Sequence, residues 1–244
     1  MAAESDLRIA VLLPDLLGTY GDRGNAIVLG HRARLRGFAP EVVEISAGTA
    51  VPADCDIYLL GGGEDLAQHE ATDQLRRGDA LSRAVDRGAA VLAVCAGLQV
   101  LGHHTRSADG TVHEGLGVLD VTTDPLPRRA IGEVLTEPNT ELGLPALTGF
   151  ENHRGGTRLG PSAAPLGTLL RGHGNGDGTE GAVQGRVVGT YLHGPALARN
   201  PDLADLLLSW VVGRPLEPVE LPSVDELREA RIGAARHRRW WHRS

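Results

Sequence analysis

The sequence predicts an α/β protein in which helices cover a mostly parallel central sheet. Short apolar runs at residues 7–13, 56–60 and 90–94 are typical of buried strands, and stretches with helical spacing of apolar residues lie among them. Because strands that alternate with helices usually pair in parallel, this order favours a mostly parallel sheet. Beyond residue 102, short β-like segments separated by Gly and Pro predict a β-rich extension.

The first half of the chain supplies the elements of the central sheet. We expect strands at residues 7–13, 41–45, 56–60 and 90–94, and helices at residues 26–36, 76–87 and 98–101. Asp22 or Asn25 is a suitable N-cap for the first helix, and Gly37 ends it. Gly88 ends the second helix in the same way.

The second half of the chain supplies the extension and two more helices. We expect strands at residues 115–121, 130–135, 147–152 and 167–171, and two strands joined around Gly185 within residues 180–193. Pro201 suits the first turn of an amphipathic helix at residues 200–212, and a capping box at residues 223–226 opens a last helix. With no repeat or long linker, residues 1–244 are expected to form a single domain. Its core covers about residues 7–212, and a C-terminal helix and basic tail follow at residues 213–244.

Composition limits the functional classes. With a net charge of −7, the molecule as a whole lacks the basic surface that is typical of nucleic-acid-binding proteins. Two cysteines are too few for a disulfide framework, and no signal peptide precedes the first strand, so a cytoplasmic location is expected. No apolar run is long enough to span a bilayer, which predicts no transmembrane segment. Cys55 is expected to be structural. Since His103, His104 and His113 lack further ligands at metal-binding spacing, no metal is expected.

Cys95 is the candidate nucleophile because it stands between a buried strand and a helix. Ala96 and Gly97 follow it, and such small residues are typical of the tight turn called a nucleophile elbow. The N-terminus of the following helix favours the thiolate over the thiol. The alternative is a core cysteine that packs as a small hydrophobic residue. The local pattern by itself leaves both interpretations open.

Backbone and imidazole groups elsewhere in the chain are candidates to act with Cys95. His193 ends an apolar strand, where a neutral imidazole could take the thiol proton and later give it to a leaving amine. The alternative is a surface or capping histidine. The N–H groups of Gly62 or Gly63, after a central strand, could form an oxyanion hole with that of Ala96. The alternative is a plain turn between a strand and a helix.

Two side chains are candidates for substrate binding. Arg129 suits recognition of a substrate carboxylate, and its alternative is a solvated charge on a loop. Gln99 lies one turn into the helix that follows Cys95. It could line the same pocket, or it is an ordinary residue of the helix surface.

Three segments in chain order resemble a known family. They are a strand followed by Gly61-Gly-Gly63, a strand followed by Cys95-Ala-Gly-Leu-Gln99, and a strand ending in Tyr191-Leu-His-Gly-Pro195. This order resembles the class I, or triad-type, glutamine amidotransferases and, within them, the cobyric-acid-synthase-like branch. The segments at residues 19–25, 149–156 and 189–195 are similar to the GatD subunits of lipid II isoglutaminyl synthase. The resemblance implies the flavodoxin-like fold of class I glutamine amidotransferases.

The same resemblance implies a glutaminase that hydrolyses L-glutamine to glutamate and supplies ammonia to a partner subunit. That partner, MurT, is a Mur-ligase-like protein expected to use ATP and Mg²⁺. It activates the D-Glu α-carboxylate of lipid II, which ammonia converts to D-isoglutamine in peptidoglycan synthesis. In this scheme Cys95 attacks glutamine, His193 transfers the proton, and Arg129 binds the glutamine α-carboxylate. This chain is expected to need no cofactor itself, and the complex is expected to work in the cytoplasm at the inner face of the membrane.

Pro195 stands where the wider superfamily usually has a glutamate two residues after the histidine. His193 therefore lacks an obvious orienting acid, and Glu151, a backbone carbonyl or a carboxylate of the partner are the candidates. For this reason glutaminase activity is expected to rise when the complex forms. Two other functions stay open: amidation of another carboxylate, such as that of a corrin, and a non-catalytic role in stabilising a Mur-ligase-like partner.

Overall fold

The computed structural model of the protein describes residues 7–19 and 21–237, so the end of the predicted basic tail, residues 238–244, lies outside the described residues. The strands in this part of the chain are β1 (Leu7–Leu12), β2 (Pro40–Ile45), β3 (Ile57–Leu60), β4 (Ala90–Val94), β5 (His104–Arg106), β6 (Val112–Glu114), β7 (Val121–Pro138), β8 (Leu147–Leu159), β9 (Gly167–Arg171), β10 (Thr179–Glu180), β11 (Ala182–Gln184) and β12 (Val187–Thr190). The α-helices are α1 (Arg23–Arg34), α2 (Asp65–Arg76), α3 (Ala80–Asp86), α4 (Ala96–Leu101), α5 (Ala196–Arg199), α6 (Pro201–Val212) and α7 (Pro222–His237).

The central sheet has the strand order β2-β1-β3-β4-β12-β11. All neighbours in it are parallel except β11, which pairs antiparallel with β12. Every residue of β3, β4 and β12 is buried, which explains why these segments are short apolar runs without alternation. The predicted α/β fold with a mostly parallel sheet flanked by helices is confirmed.

A second sheet forms the β-rich extension, with the order β10-β9-β7-β5-β6 and with β8 paired to β7. The two long strands β7 and β8 form an antiparallel ribbon whose register shifts between Pro125 and Ala130. An isolated bridge between Phe150 of β8 and His193 connects this ribbon to the carboxyl edge of the central sheet. The ribbon therefore brings side chains of the extension to the edge where α/β proteins bind their substrates.

The structure corrects several predicted elements. The helix expected at residues 76–87 corresponds to the shorter α3, and α2, which precedes it and shares only Arg76 with that range, was not predicted. The strand expected at residues 115–121 is a loop up to residue 120. In this loop Leu116 and Leu119 donate backbone hydrogen bonds to the carbonyls of Val100 and Leu101. The apolar segment thus completes the end of α4, and a sheet ladder does not form there.

Strand boundaries in the extension also differ from the expected ones. The strands expected at residues 130–135 and 147–152 are the middle or start of the much longer β7 and β8, while β9 has the predicted bounds. Gly185 does join β11 and β12 in a left-handed conformation, with φ at 57°. The second of these strands ends at Thr190, so His193 lies beyond it.

One cluster of buried apolar side chains includes residues of both sheets, such as Ile9, Val94 and Val134. The sequence analysis placed these residues in strands on both sides of the elbow. Among the described residues, no helix is long and apolar enough to cross a membrane.

Candidate active site

Cys95 lies in a strained turn between β4 and α4. Its φ of 55° and ψ of −107° fall in a region that residues with a side chain rarely adopt. The turn is tight, because a Cβ at Gly97 would lie 2.8 Å from the Leu60 Cβ and 3.0 Å from the Leu60 carbonyl oxygen. This geometry is that of the predicted nucleophile elbow, and it explains why a glycine is needed two residues after Cys95.

His193 reaches the same edge of the sheet from the neighbouring strand. Thr190, the last residue of β12, pairs with Val94, and its carbonyl accepts a 2.8 Å hydrogen bond from the N–H of Cys95. Two backbone hydrogen bonds of 2.9 and 3.1 Å between His193 and Phe150 fix the segment that follows. Adjacent parallel strands therefore bring Cys95 and His193 to one end of the sheet.

Asp22 is the acidic residue that faces His193. Its Oδ1 atom lies 4.0 Å from Nδ1 of His193, and both side chains are buried. Its Oδ2 atom accepts a 2.7 Å hydrogen bond from the N–H of Gly62, which holds the carboxylate in place. From the sequence Asp22 is expected only as a helix cap, but its side chain makes no capping hydrogen bond to α1.

Glu151, the acid proposed from the sequence, is directed elsewhere. Its carboxylate accepts hydrogen bonds from the backbone N–H groups of His173 and Gly174, at 2.9 to 3.1 Å. Its Oε2 atom also lies 3.6 Å from Nε2 of His153. Glu151 is therefore part of a separate buried cluster. Asp22 lies where Glu151 was expected, next to the ring of His193.

A cavity of about 240 Å³ opens beside the elbow, and we call it the Cys95 cavity. Cys95 lines it together with four other residues for which the sequence predicts a role. These are Gly63, Ala96, Gln99 and Arg129. Its size suits a small ligand. The predicted residues Gly62 and His193 are not among those that line it, and the Gly62 N–H is bonded to Asp22.

Arg129 and Gln99 are each oriented by a neighbouring side chain at this cavity. Arg129 Nε donates a 2.7 Å hydrogen bond to Oδ1 of Asn152, which orients the guanidinium. Gln99 Nε2 lies 3.3 Å from the hydroxyl of Tyr191. This position of Gln99 requires Gly155, because a Cβ there would lie 2.3 Å from the Gln99 amide nitrogen. Both candidate binding residues thus lie where a ligand of Cys95 would contact them.

The site is set for a neutral thiol and a neutral imidazole. Burial raises the pKa of Cys95 to about 12; the Ala96 N–H and the Arg129 charge lower it, while the Asp22 charge raises it. The helix N-terminus acts in the expected direction through the Ala96 N–H, but burial outweighs it, which favours the thiol in the substrate-free site. Burial, together with the charge of His153, lowers the pKa of His193 to about 4. A base is thus needed for Cys95, and His193 is available in its unprotonated form.

Asp22 has an unusual carboxyl group. Burial raises its pKa to about 6, although the hydrogen bond from Gly62 acts in the opposite direction. Because this same hydrogen bond occupies the Gly62 N–H, the expectation that Gly62 donates to an oxyanion is not met in this arrangement. Gly63 and Ala96, which line the Cys95 cavity, are the predicted donors that stay available.

Histidines outside this site have other partners. His103 Nε2 lies 3.0 Å from Oδ1 of Asp120, and the ring of His113 stacks on that of His69 with centroids 3.6 Å apart. Within residues 7–19 and 21–237, no group of three His, Cys, Asp or Glu side chains has a metal-binding arrangement. The absence of a metal or cofactor stays a prediction.

The fold and the elbow with its histidine define a class I glutamine amidotransferase. The sequence matches the CobB/CobQ-like glutamine amidotransferase domain over residues 8–201, and the chain belongs to that family. Within it, the chain belongs with the GatD subunits of lipid II isoglutaminyl synthase. It is 36% identical to the glutamine-hydrolyzing subunit GatD of Staphylococcus aureus (strain N315), over 93% of this chain and 94% of that protein.

Other relatives agree with this placement. The GatD subunit of Streptococcus pneumoniae is 33% identical over 91% of this chain and 86% of that protein. A cobyric acid synthase of Brucella anthropi is 33% identical, but the match covers 63% of this chain and only 32% of that protein. A solved glutamine amidotransferase from Thermotoga maritima covers 96% of both chains with a TM-score of 0.55 and 15% identity, which shows a shared fold.

Proposed function

We propose that this chain is the glutaminase subunit of a lipid II isoglutaminyl synthase. It hydrolyses L-glutamine to glutamate and supplies ammonia for amidation of the D-Glu α-carboxylate of lipid II to D-isoglutamine. The observation that carries the proposal is Cys95, held at a φ of 55° in the elbow and facing a cavity that Arg129 also lines. A nucleophile and a carboxylate-binding group on one small cavity match the two ends of a glutamine molecule.

Substrate binding begins with the glutamine α-carboxylate. Arg129 uses Nε to bond Asn152, so its terminal nitrogens face the ligand and bind the carboxylate. The γ-carboxamide then lies against Cys95, and Gln99 contacts the chain between the two ends. The carboxamide oxygen points to the N–H groups of Gly63 and Ala96, which donate to it as negative charge develops.

The reaction proceeds through a covalent intermediate. The sulfur of Cys95 attacks the carboxamide carbon while the thiol proton passes to His193. This attack converts the carboxamide into a tetrahedral oxyanion. The C–N bond then breaks, and His193 gives the proton to the departing ammonia, leaving a γ-glutamyl thioester. Water attacks this thioester with His193 as base, the C–S bond breaks, and glutamate and the free thiol of Cys95 are released.

Asp22 assists His193 in both proton transfers. During attack the imidazole becomes a cation, and a buried carboxylate 4.0 Å from Nδ1 stabilises that charge. Since the thiol has a pKa of about 12 and the imidazole about 4, proton transfer and attack occur together. A free thiolate does not accumulate before glutamine arrives.

The acceptor half of the reaction belongs to a partner subunit. A Mur-ligase-like protein of the MurT type, using ATP and Mg²⁺, activates the carboxylate, and lipid II contacts the assembly through that partner. Two observations support this division: the GatD relatives are named as subunits, and this chain spans nearly their whole length. The assembly works at the inner face of the membrane, where lipid II is presented to a cytoplasmic complex.

The alternative functions have weaker support. A cobyrinate-like acceptor is disfavoured because the chain corresponds to about a third of the cobyric acid synthase that it matches. A subunit that only stabilises its partner would have no use for a strained cysteine at a cavity or for a buried Asp22 beside His193.

The test is amide transfer by the reconstituted complex of this chain with its Mur-ligase-like partner, ATP, Mg²⁺ and lipid II. With glutamine labelled with ¹⁵N at the amide, the wild type transfers the label to lipid II. The Cys95→Ser complex loses glutamine-dependent transfer by about 10³-fold or more but keeps transfer from added ammonium salt. Loss of both activities in this variant, or label transfer without Cys95, contradicts the proposal.

A further inference from the structure

Three buried hydroxyl groups form a chain behind the Cys95 cavity, and the proposed reaction does not use them. The hydroxyl of Tyr191 lies 2.8 Å from Oγ1 of Thr157, which in turn lies 3.1 Å from Oγ1 of Thr123. All three residues are buried. At its other end the chain meets Gln99, whose Nε2 atom lies 3.3 Å from the Tyr191 hydroxyl. The hydroxyl chain thus connects a side chain of the cavity to the second sheet.

Tyr191 is held in place by contacts that involve no ligand. Its ring stacks on that of His153, with centroids 3.7 Å apart and an interplanar angle of 12°. Its backbone N–H donates a 2.7 Å hydrogen bond to Oε1 of Glu180. Thr123 and Thr157 are direct partners in the ribbon of β7 and β8, which fixes the other hydroxyls as well. The phenol oxygen therefore has a defined position before a ligand binds.

The distances indicate which atom of the Gln99 carboxamide meets Tyr191. A phenol has one hydrogen to donate, and its oxygen can also accept. If Thr157 donated to Tyr191, the phenol hydrogen would need an oxygen at Gln99, and 3.3 Å is too long for an O–H···O bond. The 2.8 Å separation from Thr157 does fit such a bond, so Tyr191 donates there. Tyr191 then accepts from Gln99, which must present Nε2.

The other polar atom of this carboxamide, Oε1, is an acceptor without a partner in the chain. Within residues 7–19 and 21–237, Oε1 of Gln99 accepts no hydrogen bond. Gln99 is half-buried and lines the Cys95 cavity. Its backbone N–H donates to the carbonyl of Cys95 at 3.2 Å, so it lies one helical turn from the nucleophile. L-Glutamine would bring N–H donors to this cavity in its γ-carboxamide and its α-ammonium group.

We propose that Tyr191 is a positioning residue, whose hydroxyl holds the Gln99 carboxamide with Oε1 directed to an N–H donor of the substrate. The inference deepens the proposed glutaminase function and rests on it, while the hydroxyl chain itself does not. A carboxamide that rotates freely presents either an oxygen or an NH₂ group to the ligand, and only the oxygen accepts a hydrogen bond. Fixing the group in advance reduces the freedom that is lost when glutamine binds.

The main test is a double-mutant cycle on glutamine hydrolysis by the full-length chain. Tyr191→Phe keeps the stacked ring and removes the hydroxyl, and Gln99→Ala removes the carboxamide. We expect each substitution to raise KM for glutamine by about 3- to 10-fold, with a much smaller change in kcat. Because Tyr191 acts through Gln99, the double variant should have the KM of Gln99→Ala alone. Additive effects, or an unchanged KM in Tyr191→Phe, overturn the proposal.

Thr157→Val tests the order of the hydrogens in the chain at a residue that does not line the cavity. It leaves the Tyr191 hydroxyl in place and takes away the acceptor of its hydrogen. The hydroxyl then donates to Gln99, which turns Oε1 away from the ligand, so KM should rise as it does in Tyr191→Phe. A folded Thr157→Val with the KM of the wild type overturns the proposed orientation. If this variant does not fold, the cycle with Tyr191→Phe decides.

Tyr58→Phe is the matched control for the loss of a buried hydroxyl. The Tyr58 hydroxyl is also bonded twice, at 2.7 and 3.1 Å, to backbone groups, and the residue does not line the Cys95 cavity. This variant should lose stability and keep the KM of the wild type. An equal rise of KM in Tyr58→Phe and Tyr191→Phe would reflect a general effect of lost hydroxyls and overturns the proposal.

Equilibrium binding identifies the group of the substrate that meets Oε1. The Cys95→Ser background stops turnover, and L-glutamine and L-glutamate are titrated into it with and without Tyr191→Phe. If the γ-carboxamide is the donor, the substitution weakens binding of glutamine and not of glutamate, since glutamate has no N–H group at that end. If the α-ammonium group is the donor, both ligands bind more weakly by the same factor. Unchanged binding of both overturns the proposal.

A ¹H–¹⁵N spectrum of the side-chain amides separates this inference from the proposed function, because it does not depend on turnover. Gln99→Ala identifies the Gln99 signals by their loss. Tyr191→Phe should shift these signals in the substrate-free chain, and Tyr58→Phe should not. Unmoved signals in Tyr191→Phe refute the positioning role even in a chain that hydrolyses glutamine. A chain that shows the shift but does not hydrolyse glutamine refutes the glutaminase function alone.

Discussion

We expect Asp22 to control how the imidazole of His193 works, because it is the buried carboxylate that faces this ring across 4.0 Å. Pro195 lies two residues after His193, at the position where the wider superfamily usually has a glutamate. The acid comes instead from the loop before α1, about 170 residues earlier in the sequence. The Gly62 N–H keeps it there through a 2.7 Å hydrogen bond. The residues of the proposed triad, Cys95, His193 and Asp22, thus lie in segments that follow three separate strands of the central sheet.

Replacing Asp22 with asparagine removes the charge and keeps the size. An amide at this position cannot stabilise the imidazolium that forms at His193, so kcat for glutamine hydrolysis is expected to fall roughly 10²-fold with little change in KM. Steady-state glutamate release measures both constants. Asp15→Asn is the control, since Asp15 lies in the same loop, is exposed and only accepts a bond from the Ala47 N–H. Equal kcat in Asp22→Asn and wild type would remove Asp22 from the mechanism.

The pH dependence of activity follows from the same carboxyl group. Its pKa of about 6 means that it is protonated, and unable to stabilise the imidazolium, at lower pH. We therefore expect kcat/KM to rise as pH increases through about 6 in the wild type, while Asp22→Asn lacks this step. The effect on stability has the opposite sign. Because burial raises this pKa from its ordinary value of 3.8 to about 6, the folded protein loses stability relative to the unfolded chain as pH rises between these two values. A profile measured from about pH 5 to 9 that is flat in the wild type would contradict the assignment.

At the scale of elements, two loops must touch for the site to form. The loop after β1 packs on the loop after β3, and the N–H of Thr19 donates to the carbonyl of Gly62 at 3.2 Å. A Cβ at Gly61 would lie 2.1 Å from the carbonyl oxygen of Leu17, and the Gly61 carbonyl accepts the N–H of Gly97 in the elbow. The glycines after β3 therefore allow a close approach of backbones, in addition to the oxyanion role proposed for Gly63.

Gly61→Ala is expected to destabilise the protein by about 1–3 kcal/mol, because the added methyl group meets backbone that cannot move aside cheaply. Urea unfolding gives the change from the shift in midpoint. Gly78→Ala provides the comparison, since a Cβ there has nothing within 4 Å and the residue joins α2 to α3. Equal stability of the two variants would show that the loops do not meet as described.

Prediction from sequence succeeded for elements whose burial leaves a strong pattern. Strands β4 and β9 were predicted with their observed bounds, because one is buried on both faces and the other lies between Gly and Pro punctuation. It failed for α2, whose exposed face and polar composition weaken the helical pattern, and for residues 115–121, where the N–H groups of Leu116 and Leu119 bond to carbonyls at the end of α4. Tertiary contacts decided these segments, and a local pattern does not contain them.

For the molecule as a whole, the site could be predicted in part. Cys95 and Gln99 line the cavity because the elbow lies at the carboxyl edge of the parallel sheet, whereas Arg129 reaches it from β7 of the second sheet and was predicted from the resemblance. The role of Asp22 could not be predicted, since its loop approaches His193 only after both sheet and loops are packed. Glu151 was a candidate acid from the sequence, but its hydrogen bonds with the N–H groups of His173 and Gly174 depend on the fold of the loop at residues 172–178.

Asp22 also changes what is expected of the isolated chain. The expectation of activation by the partner assumed that this chain lacks an acid for His193. Since it contains one, the isolated chain should hydrolyse glutamine by itself, with a kcat within about tenfold of that in the complex. Amidation of lipid II should still require the partner. Glutaminase activity that appears only in the complex would mean that the partner supplies a catalytic group.

The central claim is that Cys95 carries the glutamyl group during turnover. Acid quenching of the wild-type chain during glutamine hydrolysis, followed by peptide mass spectrometry, tests it most directly. We expect a γ-glutamyl adduct on Cys95 and an unmodified Cys55, the other buried cysteine of the chain. Glutamate production by Cys95→Ser at the wild-type rate, or an adduct on Cys55 in place of Cys95, would contradict it.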